Sequence, residues 1–223
     1  MKNANIAKVG VLAANGRDKV KKCPLALASE QRATRILNAL YAFQFPMIKA
    51  SFQHFAEPRW ERVKPLRVGC ASTGLGTPDA FVLVENDGAP FIRVDVYGDE
   101  DCYAFEEVIV WREFVVIGFG VRVHMINYRT QETITFELDS YFGHFYPGDE
   151  WLIIASGYRL LLIGPTGSVV WKTENLGLDG VIVDSIKGNL IHGQGEWDPP
   201  GGWRPFQVSL DTGEKIFEPS DRA

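Results

Sequence analysis

The feature that most constrains this chain is a recurrence of short β-rich runs, four at a time, at intervals of roughly 40 residues. From about residue 66 onward, runs of Val, Ile, Leu, Thr and aromatic residues are separated by Gly, Asp, Asn and Pro. That punctuation marks antiparallel strands joined by turns, because strands alternating with crossover helices need long 3.6-periodic segments between them. One module holds the runs 105–111, 114–119, 122–126 and 133–138. A second holds 141–146, 151–156, 159–163 and 168–173, and a third holds 180–186, 189–192, 204–210 and 214–217. The third run of each module ends at Ile126, Ile163 and Leu210, so the second interval is the longer of the two. That longer interval contains an insertion from Gly195 to Trp203. A partial module precedes these three, with runs 80–85 and 90–97 around the turn Asn86-Asp87-Gly88. Its hairpin strand ends near Val84, a comparable distance before Ile126.

A period of roughly 40 residues with four strands per unit resembles a β-propeller blade. The resemblance covers roughly residues 66–223 and points to no specific family. No Trp-Asp dipeptide closes the modules, since Trp197-Asp198 sits in the insertion, and no double glycine recurs in register. The resemblance implies a binding scaffold, because repeated small sheets leave loops along one side. The expected fold is therefore mainly β: a propeller-like or open array of three to four small antiparallel sheets with an N-terminal helix. The alternative is a β-sandwich built from the same hairpins.

The segment expected to precede the array, residues 1–65, differs in character from the body at 66–223. Its one helical pattern spans 29–43, with Ser29 as N-cap and Ala33, Ile36, Leu37, Leu40 and Tyr41 on one face, and Pro46 stops it. Charge divides along a similar line. Residues 1–67 hold 13 Lys or Arg against 4 Asp or Glu, whereas residues 68–223 hold 10 against 24, so the net charge of −5 describes neither part. With 46% hydrophobic residues the chain is able to bury a core, which excludes wholesale disorder. No apolar run reaches the ~18 residues of a membrane span. Cys23, Cys70 and Cys102 are far apart and lack zinc or redox spacing, a usage that fits a reducing cytosol.

Candidate sites follow from that layout. The acidic body is expected to engage a basic protein partner, with Asp95, Asp99, Glu100 and Asp101 as charges and Trp197 and Trp203 as an aromatic platform. A small acidic antitoxin or immunity protein that masks a basic toxin has this composition and size. In a second reading His192, with Glu196 and Asp198 of the insertion that follows it, ligates a metal for hydrolysis. In a third, Lys19, Lys21, Lys22, Arg32 and Arg35, with aromatic residues interleaved further on, contact nucleic acid. His144 lies close in sequence to Asp149 and Glu150, a pattern that also suits acid–base work. The glycine-rich stretch 69–77 lacks the Gly-Lys-Ser/Thr ending of a phosphate loop, and no serine sits in a nucleophile elbow. No cofactor is expected and no catalytic residue is assigned, while open sheet edges invite homo-oligomers.

Overall fold

The computed structural model describes residues 47–69, 76–98 and 105–216. These belong to one compact unit, Pro46–Ala223; a second unit, Met1–Phe45, and with it the helix expected at 29–43, lies outside the described residues. The described residues are mainly β and form a propeller-like array of four separate small sheets, so the hairpins do not merge into the two layers of a sandwich. No described helix is long and apolar enough to cross a membrane.

The first sheet contains β1 (Ile48–Gln53), β2 (Leu66–Gly69), β3 (Ala80–Asn86) and β4 (Ala89–Tyr97), in the order β1-β3-β4-β2. The second is β5 (Glu106–Trp111), β6 (Phe114–Phe119), β7 (Arg122–Asn127) and β8 (Thr133–Glu137), a plain antiparallel meander. The third repeats it with β9 (Phe142–Pro147), β10 (Leu152–Ser156), β11 (Leu160–Ile163) and β12 (Val169–Lys172). The fourth has β13 (Val181–Lys187), β14 (Leu190–Glu196) and β15 (Trp203–Ser209). The second strands of the last three sheets begin at Phe114, Leu152 and Leu190, at equal spacing along the chain.

Hydrophobic burial stacks these sheets face to face. Val82, Val84, Ile92 and Val94 of the first meet Val115 and Ile117 of the second. Val116, Met125 and Phe114 on the other face of the second meet Phe142, Leu152 and Ile154 of the third. Ile153, Leu160 and Leu162 then meet Val181, Ile191 and Val208 of the fourth. A sheet covered on both faces needs apolar residues at successive positions, which is why β6, β10 and β11 are buried along their whole length. The fourth sheet instead alternates. Ile191, Gly193 and Gly195 of β14 face the third sheet, while Leu190, His192, Gln194 and Glu196 face the other way.

Hydrogen bonds between neighbouring sheets span one repeat. The Trp111 indole donates to the Gly148 carbonyl at 2.8 Å, Phe145 N–H donates to Glu107 at 3.0 Å, and Val183 N–H donates to the Tyr146 hydroxyl at 3.0 Å. These contacts join the first strands of successive sheets at matching heights, so β5, β9 and β13 run in the same direction. The Trp171 indole closes the third sheet onto the fourth by donating to the Leu210 carbonyl at 2.9 Å.

Three details differ from the sequence expectation. The partial module is a complete sheet of another topology. Ile48–Gln53, assigned to the N-terminal segment, pairs with β3, and β2 joins β4 in parallel, so the boundary expected at 65/66 falls inside this sheet. Its first strand also runs against the others: Phe52 stacks on Phe119 at 5.7 Å and His54 meets Glu106 at 3.2 Å, which puts the end of β1 at the start of β5. Of the strand expected at 214–217, the described residues to Ile216 show a bridge between Lys215 and Val208, supported by Ile216 N–H donating to the Gln207 carbonyl, while Phe217 lies outside the described residues. Along that edge of β15 the backbone groups of Ser209 and Gln207 point outward, and the next residue in the same phase, Pro205, has no N–H.

Candidate functional site

The connections at one end of the repeated sheets bring together residues far apart in sequence. Tyr141 precedes β9, Tyr158 lies in the turn between β10 and β11, Asp179 precedes β13, Glu196 ends β14 and Trp203 begins β15. The Tyr141 hydroxyl donates to the Asp179 carbonyl at 2.7 Å and lies 3.4 Å from the Asp179 carboxylate. Burial, reinforced by the charges of Asp179, Glu196 and the Tyr158 phenol, pushes the Tyr141 phenol up to about 12. Burial is the largest cause of this rise, and the two carboxylates beside the phenol add to it.

Backbone pairing fixes the other side of this rim. Leu178 N–H donates to the Glu196 carbonyl at 2.6 Å, and Glu196 N–H donates to the Gly180 carbonyl at 2.9 Å. Glu196 is the cross-strand partner of Trp203, so both side chains share the outward face of the fourth sheet. One Glu196 oxygen, Oε1, accepts from Gly201 N–H at 2.6 Å and holds the insertion closed. The insertion is further closed by Trp197 N–H donating to the Gly202 carbonyl and Gly202 N–H donating to the Asp198 carbonyl. Leu178 is 50% exposed and Trp203 39% exposed, which leaves apolar surface among the carboxylates.

The residues proposed from sequence separate into three groups. Trp203 joins this rim. Trp197 is half-buried and carries the Lys215 ammonium over its ring at 5.8 Å. Asp95 departs from expectation: it is only 5% exposed and forms a two-pronged ion pair with Arg93, at 2.8 and 3.2 Å, on the outer face of the first sheet. A charge this buried is satisfied inside the molecule and is not a surface contact. Asp99, Glu100 and Asp101, like Lys19, Lys21, Lys22, Arg32 and Arg35, lie outside the described residues.

The proposed metal ligands do not converge. His192 and Glu196 are four residues apart on one extended strand, a separation of about 13 Å along it. Asp198 lies beyond Glu196 in the exposed insertion. Among the described residues no three His, Cys, Asp or Glu side chains gather into a metal-binding group. His144 is likewise separated from Asp149 and Glu150, which follow β9 and meet Arg112. It contacts Glu107 at 3.7 Å and the Phe105 ring at 5.4 Å instead. Ser156 is buried, and its hydroxyl is committed to the turn through Tyr158 N–H, Arg159 N–H and the Arg159 carbonyl. Tyr141, Tyr158 and Asp179 were missed in the sequence because each sits in a different connection. Their only signal is the repeat itself, since Tyr141 and Asp179 are one period apart.

No family model matches this chain, and no curated protein matches it. Solved structures similar to it include BamB from Moraxella catarrhalis, at 17% identity over 63% of this chain and 43% of that one, with a TM-score of 0.39. AztD from Citrobacter koseri is 12% identical over 63% of this chain and 42% of its own, with a TM-score of 0.41. The Pan2 WD40 domain of Neurospora crassa is 9% identical over 64% and 47%, with a TM-score of 0.41. The chain spans less than half the length of each of these structures.

Proposed function

We propose that this chain is a non-catalytic binding scaffold whose acidic repeat body engages a basic protein partner, in the manner of a small acidic protein that masks a basic one. The observation that carries the reading is the rim of Tyr141, Asp179, Glu196 and Trp203, where carboxylates and exposed apolar surface share one end of the repeats. Interfaces favour this mixture: aromatic residues supply rigid contact area, and like-signed charge steers an opposite partner toward it. The whole repeated region supports the same polarity, with 15 Asp or Glu against 8 Lys or Arg over residues 105–216.

The test is capture by chemical cross-linking with the full chain, followed by binding measurements on the protein recovered. A basic protein is expected, held by a complex that weakens as salt rises from about 50 to about 500 mM. Charge reversal at Asp179 of the rim together with Glu174, an exposed carboxylate in the same connection between β12 and β13, is expected to lower the affinity by at least about tenfold when both become lysine. Recovery of no protein, or of one that binds the doubly reversed chain unchanged, overturns the proposal.

A further inference from the structure

Within the rim one spot has a defined shape. The Trp203 ring rests on Gly180: a Cβ built there would come within 3.0 Å of Trp203 Cη2 and 3.8 Å of Glu196 Oε2. The indole edge and the carboxylate oxygen therefore converge on one point, and the missing side chain at Gly180 is what lets the ring lie there. Glu196 Oε1 is used by the insertion, whereas Oε2 has no hydrogen-bond partner among the described residues. Asp179, the next residue before Gly180, is exposed and adds a second negative charge.

We infer that this spot receives an arginine side chain of the partner, its guanidinium stacked on the Trp203 indole and hydrogen-bonded to Glu196 Oε2. The inference rests on the binding-scaffold reading and names the group recognised. Indole is the strongest aromatic acceptor of a cation, and a planar guanidinium is able to stack and donate to a carboxylate together. An ammonium of lysine is a compact, strongly hydrated point charge without a plane to stack, so arginine is preferred. Leu178, exposed beside the Glu196 backbone, offers an apolar border for the methylene stem.

The experiment titrates the isotope-labelled full chain with a hexa-arginine peptide and follows the Trp203 indole N–H resonance, assigned by its loss in Trp203→Phe. A saturable shift is expected, with hexa-lysine about fivefold weaker and an uncharged hexa-citrulline peptide inactive. Glu196→Gln keeps an acceptor for Gly201 N–H while removing the charge, and is expected to weaken hexa-arginine about fivefold without changing the melting temperature. Gly180→Val, which displaces the ring, gives an independent loss. The inference is overturned if the Trp203 resonance does not move, or if Glu196→Gln and wild type bind the peptide equally. A captured partner that is lost on charge reversal at Glu174 and Asp179, yet kept by Glu196→Gln and Trp203→Ala, overturns this inference and leaves the scaffold reading standing.

Discussion

The first sheet and the three that follow have similar strand counts and pack into one stack, yet they are put together differently. Sheets two to four are consecutive meanders whose leading strands β5, β9 and β13 share one direction, and indole and backbone hydrogen bonds tie each to the next across one period. The first sheet inserts β3 between β1 and β4, adds β2 in parallel, and turns its leading strand the other way. Burial does not record the distinction, because the apolar interface between the first and second sheets resembles the one between the second and third. Hydrophobic contact is non-directional and accepts either strand direction. The directional terms, hydrogen bonds above all, are what separate repeat from non-repeat.

That comparison is most open to attack at the second interface of the stack. Phe142 is fully buried between sheets two and three and packs on Phe145 at 4.6 Å. Phe142→Ala is expected to cost about 3–5 kcal/mol in urea unfolding, through lost transfer energy and the cavity left behind. If the repeats are one cooperative block, every probe of sheets two to four will shift together. Separate transitions would show the sheets to be independent.

A second test uses pH. His124 of β7 is buried, with Nδ1 bonded to the Thr135 hydroxyl at 2.9 Å, and burial, aided by the nearby Arg122 charge, lowers it to about 4. Above pH 6.5 the ring is neutral in both folded and unfolded chains, and the stability is fully present. Below 6.5 the unfolded chain takes up a proton that the folded chain refuses until about pH 4, so stability falls across that window by about 3 kcal/mol. His124→Gln is expected to flatten the fall, as measured by chemical denaturation at a series of pH values. An unchanged slope would place the pH sensitivity elsewhere.

The smallest effect bears most directly on the contrast. Trp111 and Trp171 each donate to a carbonyl of the next sheet, whereas Trp60, fully buried beside the first sheet, has an indole N–H with no partner among the described residues. Replacement by phenylalanine removes buried volume at all three, so the contrast lies in the difference: the loss is expected to be about 1 kcal/mol larger at each repeat tryptophan than at Trp60, where the change also removes an unsatisfied buried donor. Equal losses at all three positions would erase the distinction drawn from directional bonds.

The strands of sheets two and three were legible in the sequence to within about two residues, because runs such as 114–119 and 152–155 are apolar throughout and bounded by turn residues. The first sheet was half hidden. Residues 48–53 alternate exposed and half-buried positions around Lys49 and Ser51, and β2 is only four residues long, so neither stands out from a basic segment. Among the described residues the last strand of the third module is a bridge. β14 runs on to Glu196 past the expected end at His192. Gly193 and Gly195 lie beyond that expected end, yet a Cβ at either would strike Phe206 or the Leu176 carbonyl, so close packing requires glycine there. Asp95 read as a surface charge because its partner Arg93, two residues back on the same strand face, reveals itself only when that face is buried. Most of the rim was invisible for a related reason: its members come from four connections, and those of different sheets meet only after the sheets stack.

Pro205 has a consequence for the edge on which it sits. Among the described residues the outer edge of β15 is bridged near Val208 and not toward Trp203, and an open edge is ordinarily a template on which another chain adds strands. With a donor missing at its centre, that stretch cannot complete a regular ladder with an incoming strand. The proline thus acts as a local stop against strand addition along this stretch of β15, whichever chain supplies the strand, and leaves recognition there to side chains.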